Sequence, residues 1–153
     1  MDIREINLDH IDAIKKLMVD IFSKEPWNDT WIDEQLHLYV SELIENKNSL
    51  SFGLFENNHM IGIALGHVKH WYEGTEYWID EFGILTQKQR CGTGTEFMTE
   101  IEKALIDKGI VYIALLTERA VPAYHFYKRN GFDEQEETRF FVKRVHRSAE
   151  GRT

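Results

Sequence analysis

Apolar residues recur every three to four positions over residues 11–22, where Ile11, Ile14, Met18, Ile21 and Phe22 share one face. That spacing predicts an amphipathic helix. A short strand over residues 3–7 precedes it, with Asp9 placed to cap the helix start. The run Glu25-Pro26-Trp27-Asn28-Asp29-Thr30 interrupts the pattern, and Asp29 or Thr30 can cap a second helix. Ile32, Leu36, Tyr39, Val40, Leu43 and Ile44 form its stripe. Residues 50–56 and 60–71 read as strands about an Asn57-Asn58 turn, a hairpin signal. Gly62 and Gly66 weaken or bend the second of them.

Residues 77–85 form the next strand, followed by a glycine-punctuated loop. Phe97, Ile101, Ala104, Leu105 and Lys108 then keep helical period up to Gly109. Residues 110–116 are an unbroken apolar run, which predicts a strand covered on both faces. Pro122 opens a short helix over residues 123–129, stopped by Asn130-Gly131. Phe132 and residues 139–145 can supply a last hairpin. The order is β-α-α-β-β-β-α-β-α-β-β, an α/β (α+β) arrangement whose natural solution is a mixed sheet with helices on both faces.

The 153 residues, 42% hydrophobic and 29% charged, suit one domain, placed over residues 1–147 with a tail over 148–153. No run approaches the roughly 18 apolar residues that span a bilayer. The N-terminus, Met-Asp-Ile-Arg-Glu, lacks a secretory pattern, and the single cysteine, Cys91, suits a reducing cytoplasm. A net charge of −8 argues against a nucleic-acid partner and favours approach of cationic small molecules. The seven histidines show no metal-ligand spacing, so no metal is expected.

The chemistry centres on Gln89-Arg90-Cys91-Gly92-Thr93-Gly94-Thr95, a loop running from a strand into a helix start. Such a junction turns unpaired backbone N–H groups and the positive end of a helix toward an anion. Gly92 and Gly94 remove side chains that would hold a phosphate away from the backbone. The loop therefore predicts a phosphate-bearing ligand. No Lys-Ser/Thr pair follows the second glycine, which excludes a nucleotide-triphosphate P-loop.

Gln89, Gly92 and Gly94, with Ala123, Phe126-Tyr127 and Gly131-Phe132 later in the chain, resemble the paired signatures of the GNAT superfamily of N-acetyltransferases. The element order resembles that family over nearly the whole chain, and the residue-level match runs from Asp80 to Phe132. The Glu25-Pro26-Trp27-Asn28 turn looks like the acceptor-side loop of some relatives. Thr86 and Ala120 depart from it, standing where relatives often have proline and asparagine.

The resemblance implies acetyl-CoA as cosubstrate. Its pyrophosphate would be held by the N–H groups of Arg90, Cys91, Gly92, Thr93, Gly94 and Thr95, with Gln89 and Arg90 side chains reaching phosphate oxygens. Phe82 and Ile84 would end a strand that splays from its neighbour and pairs with the pantetheine. Tyr127 matches the tyrosine beside the thioester sulfur, and Phe126 is read as core.

Transfer needs an uncharged amine, and presenting a lysine-like amine neutral at pH 7 costs about 4.6 kcal/mol. A carboxylate near the acceptor offsets part of that. Asp80 and Glu81 are the candidates. As strand neighbours they are expected on opposite faces, Asp80 beside Trp78 and Phe82, unless a bulge near Gly83 intervenes. Glu81 is favoured for reach, and Glu118 is a third candidate. A phenol of pKa about 10 protonating a thiolate near 8.5 runs uphill by about 2 kcal/mol, so Tyr127 is better read as a hydrogen-bond donor to the thiolate. Cys91 lies in the phosphate loop and is read as structural.

Trp27, Trp31, Tyr39, Trp71, Tyr72 and Trp78, with Glu25, Asp29, Asp33, Glu34 and Glu73, offer an aromatic and acidic pocket for a cationic amine. The sequence thus predicts an N-acetyltransferase acting on a primary amine of a small molecule or peptide. The alternative is a non-catalytic acyl-CoA-binding sensor. The last strand is free to pair with a second copy as a homodimer.

Overall fold

A computed structural model describes residues 1–146; residue 147 and the expected tail over 148–153 lie outside it. The strands are β1 (Asp2–Glu5), β2 (Ser49–Glu56), β3 (His59–Trp71), β4 (Gly74–Ile84) and β5 (Tyr112–Leu115). The helices are α1 (Ile11–Phe22), α2 (Asp33–Glu45), α3 (Thr93–Asp107) and α4 (Pro122–Arg129). The five strands form one open sheet in chain order. Every pairing is antiparallel except β4 with β5, which are parallel across the α3 crossover. The expected mixed α/β class holds.

Two cores cover the two faces. On one, Ile14, Met18, Ile21 of α1 and Leu36, Val40 of α2 bury against Ile63 and Leu65. On the other, Phe97, Met98, Ile101 and Leu105 of α3 bury against Phe52, Ala64, Tyr77 and Ile79. The i, i+4 spacing of Phe97, Ile101 and Leu105, with Met98 three residues before Ile101, puts the α3 set on one face against the sheet. Asn57 and Asn58 both take positive φ, as a two-residue hairpin turn that matches strand twist requires.

Local capping differs from expectation. Asn7, not Asp9, caps the first turn: its side chain accepts from the Asp9 N–H at 2.9 Å and starts a 3-10 turn over Leu8–His10 that runs into α1. Neither Asp29 nor Thr30 caps α2, which begins at Asp33 without a side-chain cap. The Asp29 N–H instead bonds the Phe22 carbonyl at 2.8 Å, folding the turn back on the end of α1.

No strand follows α4 among the described residues, so the expected last hairpin is absent there. Its apolar pattern finds no sheet partner, and Phe141 and Val145 stay 89% and 94% exposed. For the same reason β5 is an edge strand and not one covered on both faces: Val111, Tyr112 and Leu116 are exposed. After α4 the chain is tied back by Glu134, which accepts from Arg119 and from the Tyr124 hydroxyl.

Tyr77 is fully buried, and its hydroxyl donates to the Leu50 carbonyl at 2.8 Å across two strands. Tyr77→Phe should therefore cost about 1–2 kcal/mol, because it removes a buried hydrogen bond while keeping the ring. Urea unfolding of the two proteins at equal pH measures it; equal midpoints would contradict it.

Candidate active site

Strand β4 pairs with β5 only from Glu76 to Ile79, yet continues to Ile84. Beyond Ile79 its outer edge has no strand neighbour, so a wedge opens between the two strands. The glycine loop follows the end of β4 on this unpaired side. Gln89 turns inward, its amide Nε2 donating to the Ile84 carbonyl at 2.9 Å. It braces the loop against the strand instead of reaching outward, and the Ile84 carbonyl is already used.

Arg90 and Gly92 take positive φ, 62° and 82°, and Gly92 is the N-cap of α3. The N–H groups of Arg90, Cys91, Gly92, Thr93, Gly94 and Thr95 have no acceptor among the described residues. They form a nest of donors at the positive end of a 15-residue helix. A methyl group on Gly92 would meet nothing within 4 Å, so the space outside the loop is free for an anion. Gly94 has a different reason: a Cβ there would stand 2.9 Å from the Phe126 ring. Its glycine is required by packing, and the loop and α4 are interlocked through it. Cys91 is exposed, its Sγ 3.0 Å from the Lys88 carbonyl and 3.2 Å from Thr93 Oγ1, a local loop contact.

The two strand carboxylates lie on the same face, against expectation. Leu65 pairs with Glu81 while Gly66 pairs with Ile79, so Asp80 is the extra residue of a β-bulge. Alternation resets there, two or three residues earlier than the Gly83 position considered from sequence. Glu81 turns toward α2, where the Tyr39 hydroxyl donates to its Oε1 at 2.7 Å. Asp80 lies 2.8 Å from Nδ1 of His67, a residue that shares a strand face with Leu65. Phe82 consequently points to the opposite face, stacked on Phe97 and Phe126 with centroids 5.4 and 5.6 Å away.

Burial pushes the Glu81 carboxyl up to about 7, the negative charges of Asp29 and Asp80 add to the rise, and the Tyr39 hydrogen bond opposes it. Desolvation also raises the Asp29 carboxyl. Tyr127 sits edge-on to Phe82 at 6.3 Å and to Phe132 at 5.4 Å. Burial, and then the charge of Glu81, pushes its phenol well above the ordinary tyrosine range. It is therefore a neutral hydrogen-bond donor at any physiological pH. That coupling also places Tyr127 and Glu81 within electrostatic reach, although they are anchored on opposite faces of the sheet.

Around Glu81 stand Asp29, Tyr39 and Trp31, whose ring stacks on Tyr39 at 5.4 Å. Trp31 Nε1 is the one fully buried side-chain nitrogen or oxygen without a partner among the described residues. Trp71 and Tyr72 do not join them: they are exposed at the tip of the β3–β4 hairpin, about 20 Å along the strand from Glu81. Asp33 is paired with Lys15 at 3.1 Å. Glu118 is exposed in the turn after β5. No group of three or more potential ligands that could hold a metal ion occurs among the described residues. The partners Tyr39, Asp29 and His67 could be named from sequence only as members of a pool, since the bulge that selects them leaves no local signature.

A model of the acetyltransferase (GNAT) family matches residues 11–132. Among curated proteins none matches the chain. Among solved structures, a possible acetyltransferase from Clostridium difficile 630 superposes with a TM-score of 0.80 at 18% identity, covering 95% of this chain and 98% of that one. The aminoglycoside N-acetyltransferase AAC(6')-Iy, in complex with a bisubstrate analogue of CoA and acetylneamine, gives 0.72 at 20% identity, covering 94% and 98%. Aminoglycoside acetyltransferase meta-AAC0020, from an uncultured soil metagenomic sample and in complex with sisomicin, gives 0.74 at 17% identity, covering 95% and 96%. At these identities the likeness shows a shared fold.

Glu81 makes the site measurable without any ligand. With a folded pKa near 7 against 4.5 unfolded, the folded state keeps a proton that the unfolded chain has lost. Its ionisation therefore subtracts from stability as pH rises from about 4.5 to about 7, and the loss stays complete above that. Glu81→Gln should remove this dependence, so its stability relative to the parent should grow by up to about 3 kcal/mol between pH 4.5 and pH 8. A difference in urea midpoint that is the same at both pH values would contradict it.

Proposed function

The chain belongs to the acetyltransferase (GNAT) family, and from that premise we propose that it moves an acetyl group from acetyl-CoA to a primary amine by direct attack in a ternary complex. The observation that carries this reading is one wedge bordered by an amide nest, an unpaired strand edge, a carboxylate tuned near neutrality and a buried phenol. The residues fit the cosubstrate: six unpaired N–H groups suit a pyrophosphate, and the bare edge of β4 at residues 80–83 suits a pantetheine amide. Gln89 is cast as the brace of this loop, and Arg90 remains an exposed cation at its rim.

Glu81 acts as the base. Near pH 7 it is partly ionised, so it can attract an ammonium group, take its proton and release it again. Tyr127 donates its hydroxyl hydrogen bond to the departing sulfur and keeps its proton, because the raised phenol is a poor acid. The acceptor is a cationic small molecule, with Asp29 and Glu81 supplying charge, Trp31 and Tyr39 aromatic faces, and Trp31 Nε1–H a free donor. Aminoglycoside-type amino sugars meet this description, and the structural neighbours described as aminoglycoside acetyltransferases support trying them first.

Isothermal titration should show acetyl-CoA binding, and thiol release should follow on a panel of amino sugars, polyamines and peptides. Tyr127→Phe should lower kcat about 10²-fold while KM for acetyl-CoA barely moves. Binding without turnover on every amine would replace catalysis with the sensor role, and no binding would refute both.

The rate should climb as pH rises through about 7, where Glu81 ionises. Tyr39→Phe removes the hydrogen bond that holds this carboxyl down, so the climb should shift to higher pH. A profile that stays in place would remove Glu81 as the base.

A further inference from the structure

Glu81 solves one problem and creates another. Its carboxylate is half-buried beneath α2 and bonded to Tyr39, so a proton taken there must find a way out before the next turnover. The bulge at Asp80 supplies the neighbour. His67 and Asp80 are joined at 2.8 Å, and their side chains keep 26% and 29% exposure, enough to meet solvent. His67 lies two residues beyond Leu65, the cross-strand partner of Glu81, on the same face. Such diagonal neighbours have Cβ atoms roughly 7–8 Å apart. Two long side chains can cover most of that gap, and a single bridging water would span the remainder.

The Asp80 carboxylate accepts and does not donate, so Nδ1 of His67 carries the hydrogen and Nε2 is left with a free lone pair. An imidazole fixed in this tautomer offers its Nε2 lone pair as a proton acceptor. The other groups facing His67 are each engaged elsewhere. From β4 they are Asp80, Glu81, the direct partner Trp78 and the diagonal Glu76, which accepts from Trp78 Nε1 at 3.0 Å; on its own strand Lys69 lies over the Trp78 ring at 4.7 Å; on β2 its partner is the uncharged Ser49. The charge of Asp29 acts on Glu81.

The geometry points to a proton relay in which His67, held by Asp80, carries the acceptor's proton from Glu81 to bulk water. The inference rests on the acetyl-transfer reading and assigns a further residue to it. The ammonium proton of the acceptor leaves first by this route through Glu81. Then, as the amine nitrogen bonds to the acetyl carbon and the carbon–sulfur bond breaks, a second N–H proton passes to a Glu81 oxygen. The O–H gives it to the bridging water, which passes one of its own protons to His67 Nε2. The Nδ1–H stays on Asp80, and the Nε2 proton leaves to solvent, restoring the imidazole. The thiolate departs against the Tyr127 hydroxyl. Asp80 is thus a positioning residue, and neither Asp80 nor His67 touches the acceptor.

The test uses the full-length protein with acetyl-CoA and the best amine of the panel. His67→Gln should lower kcat about tenfold or more while KM for amine and acetyl-CoA stays within about twofold, since a missing shuttle slows proton export and not binding. Adding imidazole buffer should restore kcat in His67→Gln in a concentration-dependent way, leave the parent unchanged, and rescue His67→Ala more fully because a cavity is open. Asp80→Asn should show the same kcat loss, with the ring switching tautomer in nitrogen-15 spectra. A kcat loss that no buffer restores, or undiminished kcat in His67→Gln, overturns the relay while the acetyl-transfer reading stands. Failure of the parent to turn over any amine overturns that reading, and the relay with it.

Discussion

Strand β4 parts from β5 after Ile79 and gains an extra residue at the next position, and everything else about the site depends on that coincidence. Parallel pairing holds the two strands together for four residues each. The bulge then bends β4 and raises its twist, which carries its outer edge away from β5. The same extra residue resets side-chain alternation, so Asp80 and Glu81 both face α1 and α2, while Phe82 faces α3. One backbone irregularity thereby opens a cleft, leaves backbone groups unpaired along it, and turns two carboxylates to one side.

Burial then sets the chemistry. A carboxylate placed under α2 and near two other acids resists ionisation, and only the Tyr39 hydroxyl acts to keep it charged. The result is a group balanced near neutral pH, at a cost in folding free energy of a few kcal/mol. The same desolvation has the opposite use at Tyr127, where it keeps the phenol neutral and makes it a dependable donor. Raised acids of two kinds, one poised to titrate and one prevented from doing so, share a single wedge.

The two sequence signatures are mechanically one unit. Phe126 packs against the loop at Gly94 and stacks on Phe82, and Tyr127 contacts Phe82 at its edge. The amide nest, the open strand and the phenol are therefore positioned by one aromatic cluster, which explains why packing alone requires a glycine at position 94.

Much of the fold was legible in periodicity, because burying one face of a helix or strand imposes a spacing that the chain itself displays. The helices over Ile11–Phe22 and Thr93–Asp107, the Asn57-Asn58 hairpin and the loop into α3 all follow from local pattern and local backbone chemistry. The glycine loop and the position of Tyr127 on its helix were readable for the same reason. Facing, pairing and ionisation were not. Whether Asp80 and Glu81 oppose or accompany each other depended on a cross-strand register that no run of residues encodes. The 139–145 alternation produced no strand among the described residues, although β5 leaves one sheet edge free. The selection of Tyr39, Asp29 and His67 from many aromatic, acidic and imidazole side chains required the third dimension, since hydrogen bonds and desolvation act between residues that are distant in sequence.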